Sequence, residues 1–94
     1  MKNKVCVITG ASNGIGKEIA LHFAKNNCDI AFIDKDKENG LKLAEEIKKL
    51  KRECLFINDN IDNENSVNNF TNEIIKKFCN VDYLINNACY SNMG

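Results

Sequence analysis

The sequence predicts an α/β protein whose elements run β-α-β-α-β-α-β, the N-terminal half of a doubly wound parallel sheet with strand order 3-2-1-4. Two observations carry this prediction. Short apolar runs rich in β-branched residues alternate with longer segments whose apolar residues recur at helical spacing. A glycine-rich turn joins the first run to the first such segment. Strands that alternate with helices of several turns need right-handed crossovers, and those crossovers make the sheet parallel.

Val5, Cys6, Val7 and Ile8 form a continuous apolar run, as expected of a strand buried on both faces. After the turn, Ile15, Ile19 and Phe23 recur every four residues with Ala20 and Ala24 beside them, which predicts a helix that can lie close on a sheet. Asn26 and Asn27 end it, because asparagine tolerates the left-handed conformation common at helix C-termini. Residues 30–33 read as the second strand, with Asp34 at its carboxyl end. From about residue 37 to 51, Leu43, Ile47 and Leu50, with Leu41 and Ala44, line one side of a second helix whose other side is lysine and glutamate. Residues 55–57 are a short third strand. The polar stretch 58–65 is its loop and the start of a third helix, with Asp62 as N-cap. Val67, Phe70, Ile74 and Phe78 follow at helical spacing, and residues 81–85 make a fourth strand.

The chain has 94 residues, 44% hydrophobic and 28% charged, enough for one unit near the lower edge of what buries an adequate core. Thirteen basic and thirteen acidic side chains cancel, so no global field draws nucleic acid or an anionic membrane. Neither partner is expected. The five cysteines, Cys6, Cys28, Cys54, Cys79 and Cys89, include no C-x-x-C pair, which suits reduced thiols in the cytoplasm and argues against a metal site. The apolar run at residues 5–8 is broken at once by Thr9 and Gly10, too short for a signal peptide or a membrane span.

The turn reads Thr9-Gly10-Ala11-Ser12-Asn13-Gly14-Ile15-Gly16. Gly10 permits a tight exit from the strand, Gly14 lets the backbone approach a pyrophosphate, and Gly16 lets the helix pack on the sheet. The helix N-terminus adds free N–H groups and a partial positive charge. A P-loop has the spacing G-x-x-x-x-G-K followed by Ser or Thr; here one more residue separates Gly10 from Gly16, and Glu18 follows Lys17. A triphosphate hydrolase is therefore not expected. Asp34, about 20 residues beyond the turn, is placed to accept hydrogen bonds from the adenosine ribose hydroxyls, and its charge would repel a 2′-phosphate.

The T-G-x-x-x-G-x-G pattern from Thr9 to Gly16, Asn60-Ile61 after the third strand, and Asn86-Asn87-Ala88-Cys89 after the fourth resemble the short-chain dehydrogenase/reductase family. The resemblance runs from Val5 to Ala88. It implies a Rossmann-like domain whose NAD(P) contacts fall on Gly10, Ser12, Asn13, Gly14, Ile15, Gly16, Asp34, Asn60, Ile61, Asn87 and Ala88. In family members that favour NADP, a basic residue usually precedes the second motif glycine or follows strand two. The first of these positions is the neutral Asn13, and Lys35 and Lys37 stand near the second. NAD is expected over NADP. Two departures are plain: Asn60 stands where the family has Asp, leaving an amide oxygen to meet the adenine amino group, and Cys89 and Cys79 stand where glycines are usual.

The family's proton transfer uses a tyrosine with a lysine four residues on and an upstream serine. Here Asn87 stands four residues beyond Tyr83 and Gly94 four beyond Tyr90, His22 lies within the first helix, and Ser91 has no base. No catalytic residue is assigned. The expectation is a partial NAD(P)-binding domain over residues 1–94, the cofactor-binding fragment of an oxidoreductase whose full-length form moves hydride between NAD(P) and an alcohol or carbonyl substrate, with a homo-oligomer among the states the resemblance implies. A non-catalytic dinucleotide-binding module and an inert truncated remnant are the alternatives. Strand four is expected to present an unpaired edge.

Overall fold

The computed structural model describes residues 4–10, 14–60 and 64–86. Within them lie β1 (Lys4–Thr9), α1 (Gly14–Lys25), β2 (Cys28–Asp34), α2 (Lys37–Lys49), β3 (Cys54–Asn58), α3 (Glu64–Phe78) and β4 (Tyr83–Asn86). All neighbours pair in parallel, and the sheet order is β3-β2-β1-β4. The element order and the strand order are those the sequence predicts.

The period of two along each strand sorts side chains onto two faces. Cys6, Ile8, Cys28, Ile30 and Phe32 form one core with Ala20 and Ala24 of α1 and Leu43, Ala44 and Ile47 of α2. Val5, Val7, Ala31 and Ile33 form the other with Phe70, Ile74 and Phe78 of α3. Because both faces of β1 and β2 are covered, every core-forming position on them is apolar, and burial of each Ile or Phe contributes about 1.5–3 kcal/mol. Among the described residues α1 and α2 cover one face of the sheet and α3 the other.

Three details differ from the sequence reading. In α1 the buried stripe is Gly16, Ala20 and Ala24, while Ile15 is 72% exposed. Small side chains let the helix backbone approach the sheet, so the large ones are turned aside. Ile19 and Phe23 lean on the flank of the core with Ile85, and the Phe23 and Tyr83 rings lie 5.2 Å apart. In α2, Leu43 and Ile47 are buried but Leu41 is 51% exposed, and Leu50 caps the helix end rather than extending it. The place next to Leu41 is taken by the buried Gly40, on which an added Cβ would collide with the Phe56 ring. β4 begins at Tyr83, where pairing with Cys6 begins, and Val81 precedes it, 46% exposed. The Asp62 N-cap lies outside the described residues.

Left-handed residues close all three helices. Asn27 (φ 70°) follows α1, Lys51 (φ 64°) follows α2 and Cys79 (φ 72°) follows α3. The N–H of Lys51 donates to Lys48 O at 2.9 Å and that of Cys79 to Ile75 O at 3.0 Å. Glycine is the usual occupant of such a position, so the Cys79 that departs from the family pattern occupies a backbone shape suited to glycine.

At the amino ends of the strands, two carboxylates act as clips. Asp82 Oδ2 accepts from Val5 N at 2.8 Å while Asp82 N donates to Val5 O at 2.9 Å. Asp29 Oδ1 accepts from Glu53 N at 3.0 Å while Ile30 N donates to Glu53 O at 3.0 Å. They fix β4 against β1 and β3 against β2, and leave the carboxyl edge of the sheet for other uses.

Candidate functional site

The carboxyl edge of the sheet gathers the site. β1 ends at Thr9, and Gly10 turns out of it at φ 69°. The Gly10 N–H donates to Ile33 O at 2.9 Å, which ties the start of the turn to the residue before Asp34. Gly14, at φ 60°, opens α1; among the described residues an added Cβ there would meet no atom within 4 Å beyond its own chain neighbours and helix. The first turn of α1 carries no acidic residue, and its N-terminal partial charge is not offset from within. Gly16 is buried where the helix meets the sheet.

Asp34 is the last residue of β2 and is partly buried. Its Oδ1 accepts from Asp36 N at 2.9 Å, and its carbonyl accepts from Asn58 Nδ2 and Asp59 N, each at 3.1 Å. Asp36 in turn caps α2: its carboxylate accepts from Asn39 N at 3.1 Å and Asn39 Nδ2 at 2.8 Å. Those two hydrogen bonds, the backbone one first, hold the Asp36 carboxyl below the ordinary range. Asp59 is lowered likewise, by the Asn60 N–H at 2.8 Å and then by the Ser66 hydroxyl. Asn60 is exposed beside it.

The structure thus brings Gly10, Gly14, Gly16 and Asp34 to one edge of β1 and β2, with Asn60 beyond β3. Ile15 lies on the same turn with its side chain in solvent. Ser12, Asn13, Ile61, Asn87 and Ala88 lie outside the described residues. Two contacts at this edge were not found in the sequence. Thr9 Oγ1 donates to Asn86 Oδ1 at 3.0 Å, joining the ends of β1 and β4, and Asn58 reaches the Asp34 backbone. Thr9 and Asn86 both stand within the quoted motifs and β4 was expected beside β1, but pairing them requires the register that sets Thr9 opposite Asn86.

Other features of the surface are separate. An apolar groove of about 540 Å³ runs between α3 and β4, lined by Val67, Ile75, Val81 and Leu84 among others, and Leu84 is 69% exposed. Among the described residues β4 pairs with β1 alone. His22 is exposed on α1. Among the described residues no group of three or more metal-ligating side chains gathers, and no helix is long and apolar enough to cross a membrane.

Comparison with known proteins points to one family. The family model for short chain dehydrogenase matches residues 4–94. An uncharacterized oxidoreductase of Thermotoga maritima is 33% identical over 88 residues, which are 94% of this chain and 34% of that protein. Among solved structures, L-sorbose reductase from Gluconobacter frateurii, complexed with NADPH and L-sorbose, superimposes with a TM-score of 0.88 at 28% identity, covering 96% of this chain and 35% of that one. NAD+-bound xylitol dehydrogenase superimposes with a TM-score of 0.89 at 29% identity, covering 95% of this chain and 34% of that one. The chain therefore spans about a third of the length of the proteins it matches. With the fold, the turn and a family match that covers nearly all of it, this chain belongs to the short-chain dehydrogenase family.

Proposed function

We propose that this chain is the dinucleotide-binding part of an oxidoreductase, and that it favours NAD over NADP. The observation that carries the reading is the joint placement of a left-handed Gly10, the start of α1 at a left-handed Gly14 and the Asp34 carboxylate along one sheet edge. Main-chain N–H groups at the start of α1 would receive the diphosphate, with Ser12, Asn13, Gly14, Ile15 and Gly16 around it. Asp34 would accept from the adenosine ribose hydroxyls, and Asn60 and Ile61 would meet the adenine. Asn87 and Ala88 would line the adenosine side beyond β4.

When bound, the nicotinamide ring supplies the hydride chemistry. The residues of this chain bind and orient. Neither Tyr83 nor Tyr90 has a lysine four residues on, so in the proposed activity, hydride exchange with an alcohol or carbonyl compound, groups outside these 94 residues would move the proton. The fit is favourable in charge as well as shape. The first turn of α1 has no carboxylate to repel a diphosphate, while the strand-two end has Asp34 to repel a 2′-phosphate. The related solved structures named above hold NADPH in one case and NAD+ in the other, so the preference rests on Asp34 and the neutral Asn13. The five scattered cysteines, with no C-x-x-C pair, support a reducing, cytoplasmic setting.

Calorimetric titration of the purified protein with NAD and with NADP tests this reading. Saturable binding, tighter for NAD, is the expected outcome. Tighter binding of NADP would reverse the preference, and no heat with either at millimolar concentration would remove the cofactor assignment.

A further inference from the structure

The Asp34 backbone is held from a strand the family motifs do not point to. Its carbonyl oxygen takes the Asp59 N–H at 3.1 Å, and it also takes Nδ2 of Asn58 at 3.1 Å. Asn58 is the last residue of β3 and the register partner of Asp34 in the parallel ladder. Its side-chain amide is thus a second donor to one carbonyl, supplied from outside the ladder. The side chain is exposed and belongs to neither core, so its contact with Asp34 is not a by-product of packing. Asp59, which follows it, is tied down as well, since its Oδ1 accepts from Asn60 N at 2.8 Å and the same carboxylate takes the Ser66 hydroxyl. Asp36 N in turn donates to Asp34 Oδ1 at 2.9 Å.

We infer that Asn58 is a positioning residue for Asp34, fixing its peptide so that the carboxylate points at the ribose hydroxyls. This rests on the reading of Asp34 given above. Allowed χ1 rotamers depend on backbone φ and ψ, so a peptide free to rock about ψ of Asp34 spreads its carboxylate over several directions. A carboxylate that meets a diol with both oxygens loses affinity when its direction spreads, whereas a 2′-phosphate, which it repels, is little affected. Asn58 would therefore influence both NAD affinity and the discrimination between the two cofactors, without touching either.

The test titrates NAD and NADP into the wild-type protein, Asn58→Ala, Asn58→Gln, Asp34→Ala and the Asp34→Ala/Asn58→Ala double variant, with thermal unfolding of each. Asn58→Ala is expected to weaken NAD binding about threefold to fivefold, the size of one neutral hydrogen bond. NADP binding should change little and the unfolding midpoint should hold. In the Asp34→Ala background, Asn58→Ala should have no further effect, and Asn58→Gln, which keeps an amide donor, should recover part of the loss. Wild-type affinity in Asn58→Ala, or the same loss with and without Asp34, would overturn the inference while leaving the role of Asp34 standing. Wild-type affinity in Asp34→Ala would instead overturn the ribose assignment and this inference with it.

Discussion

The amide of Gly10 donates to the carbonyl of Ile33 across 2.9 Å, so the first residue of the glycine-rich turn is joined to the residue before Asp34. One hydrogen bond thereby sets the distance between an anion-binding backbone and a sugar-binding carboxylate. It exists because β1 and β2 are adjacent and parallel, with Thr9 paired to Ile33 at the last step of the ladder.

Replacing Asp34 with alanine is expected to weaken NAD about tenfold or more, since a hydrogen bond to a charged group is worth about 1.5–3 kcal/mol. NADP should be unaffected or bind better, because the repelling charge has gone. Calorimetry on both cofactors checks this, and equal losses for both would point away from the ribose.

Gly40→Ala should destabilise the fold by about 1–3 kcal/mol, the usual range for overpacking, because the new methyl meets the Phe56 ring, itself stacked on Phe32 at 4.7 Å. Denaturant unfolding measures the loss. Adding Phe56→Leu should return part of it; unchanged stability in Gly40→Ala would show that α2 can move away from β3 freely.

Cys79→Gly should stabilise by about 1 kcal/mol, because the residue sits at φ 72° and closes α3 with a hydrogen bond to Ile75 O that needs no side chain. The same change at Asn27 should give less, since asparagine already tolerates that conformation. Chemical denaturation of both variants compares them.

The thiols should differ sharply in reactivity. Burial pushes Cys6 and Cys54 up to about 12, with the Cys28 thiol adding to the effect at Cys6, whereas Cys79 is exposed. Among the described residues, mass spectrometry after brief alkylation at neutral pH should find Cys79 modified first and Cys6 and Cys54 untouched until the protein unfolds. The raised values also set an alkaline limit. Stability from keeping these thiols neutral is complete below the ordinary value of 9.0 and declines as pH climbs from there toward about 12. The acid limit has the opposite sign. Asp36 and Asp59 are lowered, so their contribution is complete above the ordinary value of 3.8 and is lost as pH falls below it. Unfolding midpoints across pH should fall at both ends.

Much of this fold was legible in the sequence, and the gaps have physical causes. β1 and β2 read plainly because both faces are buried, which forces apolar residues at every position between Val5 and Ile8 and between Ile30 and Ile33. Helix α1 misled because periodicity weights large side chains, while the sheet is approached through Gly16, Ala20 and Ala24. The beginning of β4 was placed too early because Val81 is apolar, yet pairing waits for Tyr83. Asp29 and Asp82 could not be found, since a lone acid at a strand start has no spacing signature and earns its role only from a neighbour distant in sequence. The glycine turn and Asp34 were legible because their roles are local, whereas Asn58 required the register that sets it opposite Asp34, which the strand order alone does not give.

The central claim is that the glycine turn at the end of β1 holds the dinucleotide, and selective labelling tests it most directly. The chain has five glycines, three of them in the turn, while Gly40 lies in the first turn of α2 against the Phe56 ring, its N–H donating to Asp36 O at 2.9 Å. In protein carrying nitrogen-15 glycine alone, NAD should shift the amide resonances of Gly10, Gly14 and Gly16 in a saturable way and by more than that of Gly40. Saturation with the turn glycines unmoved would contradict the account.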